Sequence, residues 1–215
     1  EGATPDALRA DMMFLQKLWT VLSAKAAETR PGNLVYEDLA LPLRVLRDIV
    51  SSGVDKVSVD HPETFERMRE FARTFMPDHT GRIELYRSER PIFDLYGVED
   101  EIQRSLDRKV ALKSGGYLIF DQTESMTTID VNTGAYVGHR TLEETIFRTN
   151  LEAAVAIARQ LRLRNLGGII IVDFIDMEED EHRKQVLQAL EKSLAADHAK
   201  NHISSVSPLG LVEMT

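Results

Sequence analysis

Apolar residues recur at helical spacing through Leu8, Met12, Leu15, Leu18, Trp19 and Leu22, which predicts an amphipathic helix over residues 4–28, closed by Pro31-Gly32. A second helix is expected over 41–51, ended by Gly53. The alternation in Asp55–Asp60 reads as a strand, and His61-Pro62 opens a helix that runs to about Phe75 and stops at Pro77. Residues 82–86 read as another strand and 92–106 as a helix with an acidic first turn, so this stretch alternates strand and helix as a small α/β layer does.

The turn signal Lys113-Ser114-Gly115-Gly116 follows, and a subdomain boundary is placed near residue 110. Tyr117–Asp121 and Met126–Val131, joined by Gln122-Thr123-Glu124, predict a hairpin. Thr141, with Glu144 three residues on, has the form of a capping box and starts a long helix to about Leu163. The apolar run 168–174 lacks alternation, which predicts a strand buried on both faces. A helix over 179–196 and strand-like segments from Ile203 to Met214 complete an α/β pattern.

Composition narrows the chemistry. With 43% hydrophobic and 28% charged residues in 215, the chain is expected to build a packed core. Its longest apolar run, Ile169–Val172, is far short of the roughly 20 residues needed to cross a bilayer. No leader pattern opens the chain, Glu1-Gly2-Ala3 reads as an internal boundary, and a cytoplasmic location is expected. Zero cysteines exclude disulfides and thiolate zinc sites, which leaves carboxylates and six histidines and favours a hard cation. The net charge of −9 argues against a generally basic surface, so any nucleic-acid contact must rest on a local patch.

Two strand ends carry the candidate chemistry. In Thr128-Ile129-Asp130-Val131-Asn132, Asp130 and Asn132 project to one side of a strand while Ile129 and Val131 project to the other. In Ile171-Val172-Asp173-Phe174-Ile175-Asp176 an apolar strand ends in a carboxylate, where α/β proteins place ligands. Two such carboxylates on neighbouring strands could share Mg²⁺. Either aspartate could equally be a plain turn or cap residue. The cluster Arg159–Arg164 reads first as complement to a helix C-terminus and second as a phosphate site. Lys109, Lys113, Arg140, Arg148 and Lys200 are further possible phosphate contacts, and His139 and His182 read as ordinary polar residues.

The stretch KSGGYLIFDQTESMTTIDVNTGAYVGHRTLEETIFRTNLEAAVAIARQLRLRNLGGIIIVDFIDM, with PIFDLYGVEDEIQRSLDRKVALKSGG before it and SPLGLVEMT after it, closely resembles the bacterial ribonuclease E/G family, leaning to its G branch. The resemblance implies that residues 1–41 are the tail of the 5′-sensor region, 42–110 a ribonuclease H-like subdomain and 111–215 a deoxyribonuclease I-like catalytic subdomain with a mixed sheet flanked by helices. It implies Mg²⁺-dependent endonucleolytic hydrolysis of single-stranded RNA in rRNA maturation and mRNA decay, leaving a 5′-phosphate and a 3′-hydroxyl. Asp130 and Asp173 match the family's magnesium ligands and Asn132 the asparagine that assists them. Lys200, Lys113 and Arg148 are weaker RNA-contact expectations. Homo-oligomers are implied, without a small-molecule cofactor or membrane span. The cysteine pair through which the family shares zinc is absent from this chain. The competing readings are a non-catalytic scaffold that binds RNA or a partner chain, and a metal-dependent phosphoesterase acting on small substrates. Local disorder is expected near residues 1–40.

Overall fold

A computed structural model of the chain describes residues 5–49, 54–134, 142–197 and 199–215. The chain divides into two compact units, Glu1–Ile92 and Phe93–Thr215.

In the first unit, helices α1 (Pro5–Glu28), α2 (Leu41–Ile49) and α3 (Pro62–Phe75) accompany two parallel strands, β1 (Val57–Val59) and β2 (Ile83–Leu85), with a 3₁₀ turn over Pro77–Arg82. His61 caps α3 by accepting a hydrogen bond from the Thr64 amide at 3.2 Å, and Pro62 stands in its first turn, as the sequence predicts. The core gathers Leu46, Val59, Met68, Phe71, Ala72 and Ile83. Phe14 of α1 packs its ring 5.3 Å from Phe75 and 6.4 Å from Phe71, which anchors α1 on α3. Residues 5–28 are therefore helical where local disorder is expected. The apolar positions Leu8, Met12, Leu15 and Trp19 of α1 remain exposed, so only part of its predicted apolar face is used. Gly53 lies outside the described residues.

Helices α4 (Ile92–Leu95) and α5 (Val98–Ser105) stand in place of one continuous helix. Gly97 interrupts them at φ 63°, a left-handed conformation that a helix interior does not contain. A six-stranded mixed sheet follows: β3 (Lys109–Ala111), β4 (Tyr117–Gln122), β5 (Met126–Asn132), β6 (Ile169–Asp173), β7 (Ile203–Val206) and β8 (Val212–Met214), in the order β3-β4-β5-β6-β8-β7. Only β5 and β6 are parallel, and helix α6 (Leu142–Leu163) connects them; α7 (Asp180–Leu194) follows β6. Thr141, the expected cap of α6, lies outside the described residues.

Register decides which side chains are buried. Leu118 and Phe120 of β4 stand beside Val131 and Ile129 of β5, Val172 of β6 and Val212 of β8, and all of them enter one core with Ala153, Ile157 and Leu161 of α6 and Val186 and Leu190 of α7. The opposite sheet face carries Ile119, Asp130, Ile171, Asp173 and Glu213, none of them fully buried. Strand β6 therefore alternates. Ile170 and Val172 are buried while Ile169 is 47% exposed, which corrects the expectation of burial on both faces. The cause is that both core helices serve the same side of the sheet.

Candidate metal centre

Asp130 and Asp173 are direct register partners on the parallel strands β5 and β6, near the C-terminal end of each. Adjacent strands lie about 5 Å apart, and paired residues project to the same side. The buried neighbours Ile129, Val131 and Val172 fix this orientation, because reversing it would put three core side chains in water. Asn132, two residues beyond Asp130 on the same side, donates from Nδ2 to Asp130 Oδ2 at 2.8 Å. Spacing within β5 and the pairing of β5 with β6 together bring three oxygen-bearing side chains to one patch of the sheet.

Partial desolvation at the strand end, reinforced by the negative charges of Asp130 and Asp176, holds the Asp173 carboxyl above the ordinary carboxylate range even though the residue is solvent-exposed. Among the described residues no group of three or more His, Asp or Glu gathers to form a metal cage. The donor set that is present, two carboxylates and an amide with no sulfur or imidazole, fits a cation that retains several waters, as Mg²⁺ does, and does not suit zinc.

The chain after Asp173 is held by α6. Asn150, fully buried, donates from Nδ2 to the Ile175 carbonyl at 2.8 Å and accepts from the Ile175 amide at 3.1 Å. Glu143 binds the Glu178 amide at 3.4 Å and His182 Nδ1 at 3.0 Å, and Phe147 stacks on the His182 ring at 4.0 Å. The hydrogen bond from His182, with backbone amides 178 and 179, draws the Glu143 carboxyl below its usual range. On the other side of the site, Glu152 of α6 accepts hydrogen bonds from the Lys113 amide and, at 2.9 Å, from the Ser114 amide, fixing the turn that leads into β4. None of these clamps is visible as a local sequence signal. Their partners lie 25 to 39 residues apart.

The other expected contacts are dispersed. Lys113 lies at the turn beside the carboxylate end of the sheet, Arg148 pairs with Glu144 at 3.2 Å on α6, and Lys200 precedes β7 at the opposite end of the sheet. Arg159 is paired with Glu101 at 2.8 Å, while Arg164 donates to the Asp107 carbonyl at 2.7 Å and stacks over Phe120, so both have structural work. His139 and Arg140 lie outside the described residues. A hollow of about 650 Å³ opens between the β6–α7 loop and the β7–β8 turn, lined from Phe174 onward and without either carboxylate of the pair. Its Arg183 is engaged with the Met177 carbonyl and Asp180. Among the described residues no helix is long and apolar enough to cross a membrane.

Fold and site together define an α/β protein whose mixed sheet presents a carboxylate pair at two neighbouring parallel strand ends. The chain belongs to the ribonuclease E/G family, whose sequence model matches residues 1–215. It is similar to ribonuclease G of Salmonella typhimurium (strain SL1344), with 54% identity over 215 residues, all of this chain and 44% of that protein. Ribonuclease G of Escherichia coli (strain K12) is 52% identical over the same span, and ribonuclease E of that strain is 39% identical over 216 residues, 20% of its length. The chain thus spans less than half the length of these ribonuclease G relatives.

Proposed function

We propose that this chain carries the catalytic core of a magnesium-dependent endoribonuclease that hydrolyses phosphodiester bonds of single-stranded RNA to 5′-phosphate and 3′-hydroxyl ends, in rRNA maturation and mRNA decay. Residues 111–215 are read as its deoxyribonuclease I-like catalytic subdomain, with β3 added to the same sheet, residues 42–110 as its ribonuclease H-like subdomain and residues 1–41 as the tail of the 5′-sensor region. The protein acts in the bacterial cytoplasm as a homo-oligomer. The observation that carries this reading is the register pairing of Asp130 with Asp173 on an exposed sheet face.

In this reading Asp130 and Asp173 hold Mg²⁺, and Asn132 fixes the Asp130 carboxylate through its 2.8 Å hydrogen bond. Bound Mg²⁺ supplies activation of a water and neutralisation of charge at the phosphate. The side chains supply position: Asn150 and Glu143 keep the segment after Asp173 from drifting, so that the two carboxylates stay paired when RNA approaches. Lys113, near that end of the sheet, is the best placed of the expected phosphate contacts.

The test is a Mg²⁺ titration of the full chain with a fluorescent single-stranded RNA, beside Asp130→Asn and Asp173→Asn. Magnesium-dependent cleavage that either substitution abolishes is expected. Cleavage that survives both substitutions sinks the site assignment, and metal binding without cleavage favours a non-catalytic RNA-binding scaffold.

A further inference from the structure

The exposed sheet face carries a second group of residues beside the carboxylate pair. Register pairing runs straight across the strands from Lys109 to Ile119 to Asp130 to Asp173, and the next row runs from Ala111 to Tyr117 to Asn132. Tyr117 is therefore the direct neighbour of Asn132, about 5 Å from it across the sheet, and Lys109 lies two strands from Asp130. The Lys109 ammonium sits 3.8 Å from the centre of the Tyr117 ring.

Their partners are as telling as their positions. Arg108, the preceding cation, is tied to Asp121 by two hydrogen bonds of 2.6 Å, so its charge is neutralised. Lys109 is exposed and, among the described residues, makes no ion pair. Tyr117 is half-buried and its hydroxyl bonds to no described residue. An aromatic ring one strand from Asp130 and, beyond it, an ammonium without an ion-pair partner among the described residues thus stand together beside the proposed cation ligands. Proteins that hold single-stranded nucleic acid combine these two elements: a ring that stacks on a base whatever its identity, and a cation that follows the backbone.

Resting on the ribonuclease reading above, we propose that Tyr117 and Lys109 form a nucleotide-docking subsite. Tyr117 stacks on the base of a nucleotide adjoining the scissile phosphate, and Lys109 moves from the ring to a backbone phosphate of the same strand. The RNA then crosses the strands of the sheet rather than running along them, with its reactive phosphate over β5 and β6 and its neighbouring base over β4. Stacking tolerates any base, so the subsite sets register along the strand and leaves sequence choice to other contacts.

The test separates this subsite from the cleavage reading by measuring binding without chemistry. Short fluorescent single-stranded RNAs, each with one abasic position walked along the strand, are titrated with the full chain in EDTA, for the wild type, Tyr117→Leu, Tyr117→Trp and Lys109→Gln. Wild-type affinity should fall about tenfold when the abasic position meets Tyr117. Tyr117→Leu should bind the intact strand about tenfold more weakly and lose nothing further on that abasic strand, while Tyr117→Trp binds as the wild type does. Lys109→Gln should lower affinity and flatten its salt dependence by about one ion. The subsite is overturned if Tyr117→Leu binds every strand as the wild type does, if its loss multiplies with every abasic position, or if the strand does not bind at all. Parallel cleavage in Mg²⁺ judges the other reading: cutting with a silent Tyr117 rejects the subsite alone, and the paired loss without cutting supports the subsite and rejects the nuclease.

Discussion

Asn150, itself fully buried, grips the main chain of half-buried Ile175 with both ends of its amide, donating to the carbonyl at 2.8 Å and accepting from the amide at 3.1 Å. Ile175 lies two residues beyond Asp173, so this one side chain fixes where the second carboxylate strand ends. Asn150→Leu removes the partners of the half-buried Ile175 N–H and C=O, and a loss of about 2 kcal/mol of stability is expected, the low end of roughly 1–3 kcal/mol for each of the two groups. Urea unfolding of the two proteins measures it. A loss below about 1 kcal/mol would mean that water or another group replaces the clamp.

The carboxylate pair predicts an opposite trend. Like charges directly opposite each other on adjacent strands destabilise a sheet, so Asp173→Asn should raise stability by about 0.5 kcal/mol in EDTA. Mg²⁺ should raise the melting temperature of the wild type and leave the variant unmoved. Thermal scans with and without Mg²⁺ check both halves, and an equal Mg²⁺ response in the two proteins would remove Asp173 from the ligand set.

Arg108 holds the Asp121 carboxyl below its usual range through their paired hydrogen bonds. A depressed folded-state pKa contributes stability that is complete above the unfolded value near 3.9 and is lost as pH falls through the folded value. The melting temperatures of the wild type and Arg108→Gln should therefore differ by a constant amount above about pH 5 and converge below about pH 4. A gap that does not narrow at all as pH falls below about 4 would show that packing of the arginine stem, not the ion pair, sets the difference.

Gly116 precedes β4, and a Cβ there would meet the Asn132 carbonyl at 2.5 Å and the Thr149 methyl at 3.0 Å. The first obstacle is backbone and cannot swing aside. Gly116→Ala should cost about 1–3 kcal/mol as an overpacking change and should lower RNA cleavage by displacing Asn132 from Asp130. Denaturation and cleavage assays report the two effects separately, and normal values in both would show that the hairpin yields without cost.

Much of the second unit is legible in the sequence because its signals are local. The alternation in Met126–Val131 and the long apolar stripe of α6 fix strand and helix without reference to the rest of the chain. Strand β3 escapes that reading. Lys109-Val110-Ala111 is too short for a period, and it is a strand only because β4 offers it a partner. The break at Gly97 is likewise a matter of one left-handed residue inside an otherwise helical pattern. For the site, spacing puts Asp130 and Asn132 on one side of a strand, but the meeting of Asp130 with Asp173 depends on strand order, which no local window contains. The clamps by Asn150, Glu143 and Glu152 are less visible still, since each joins a helix to a backbone group more than twenty residues away. The exposed side of β6 shows the converse error: an unbroken run of isoleucines looks like a doubly buried strand until the helices are seen to lie on one side.

The six-stranded sheet ends on one side at β3, three residues long and carrying Lys109, and on the other at β7, where the pairing with β8 slips between Ile203 and Val206. Each border offers an incoming strand only a few regularly spaced amide and carbonyl groups, and charge or irregularity interrupts them. A second copy therefore gains little by continuing the sheet across a molecular boundary. Assemblies built from this chain are expected to join through side-chain surfaces, which keeps the hydrogen-bonding capacity of the two borders out of fibrous growth.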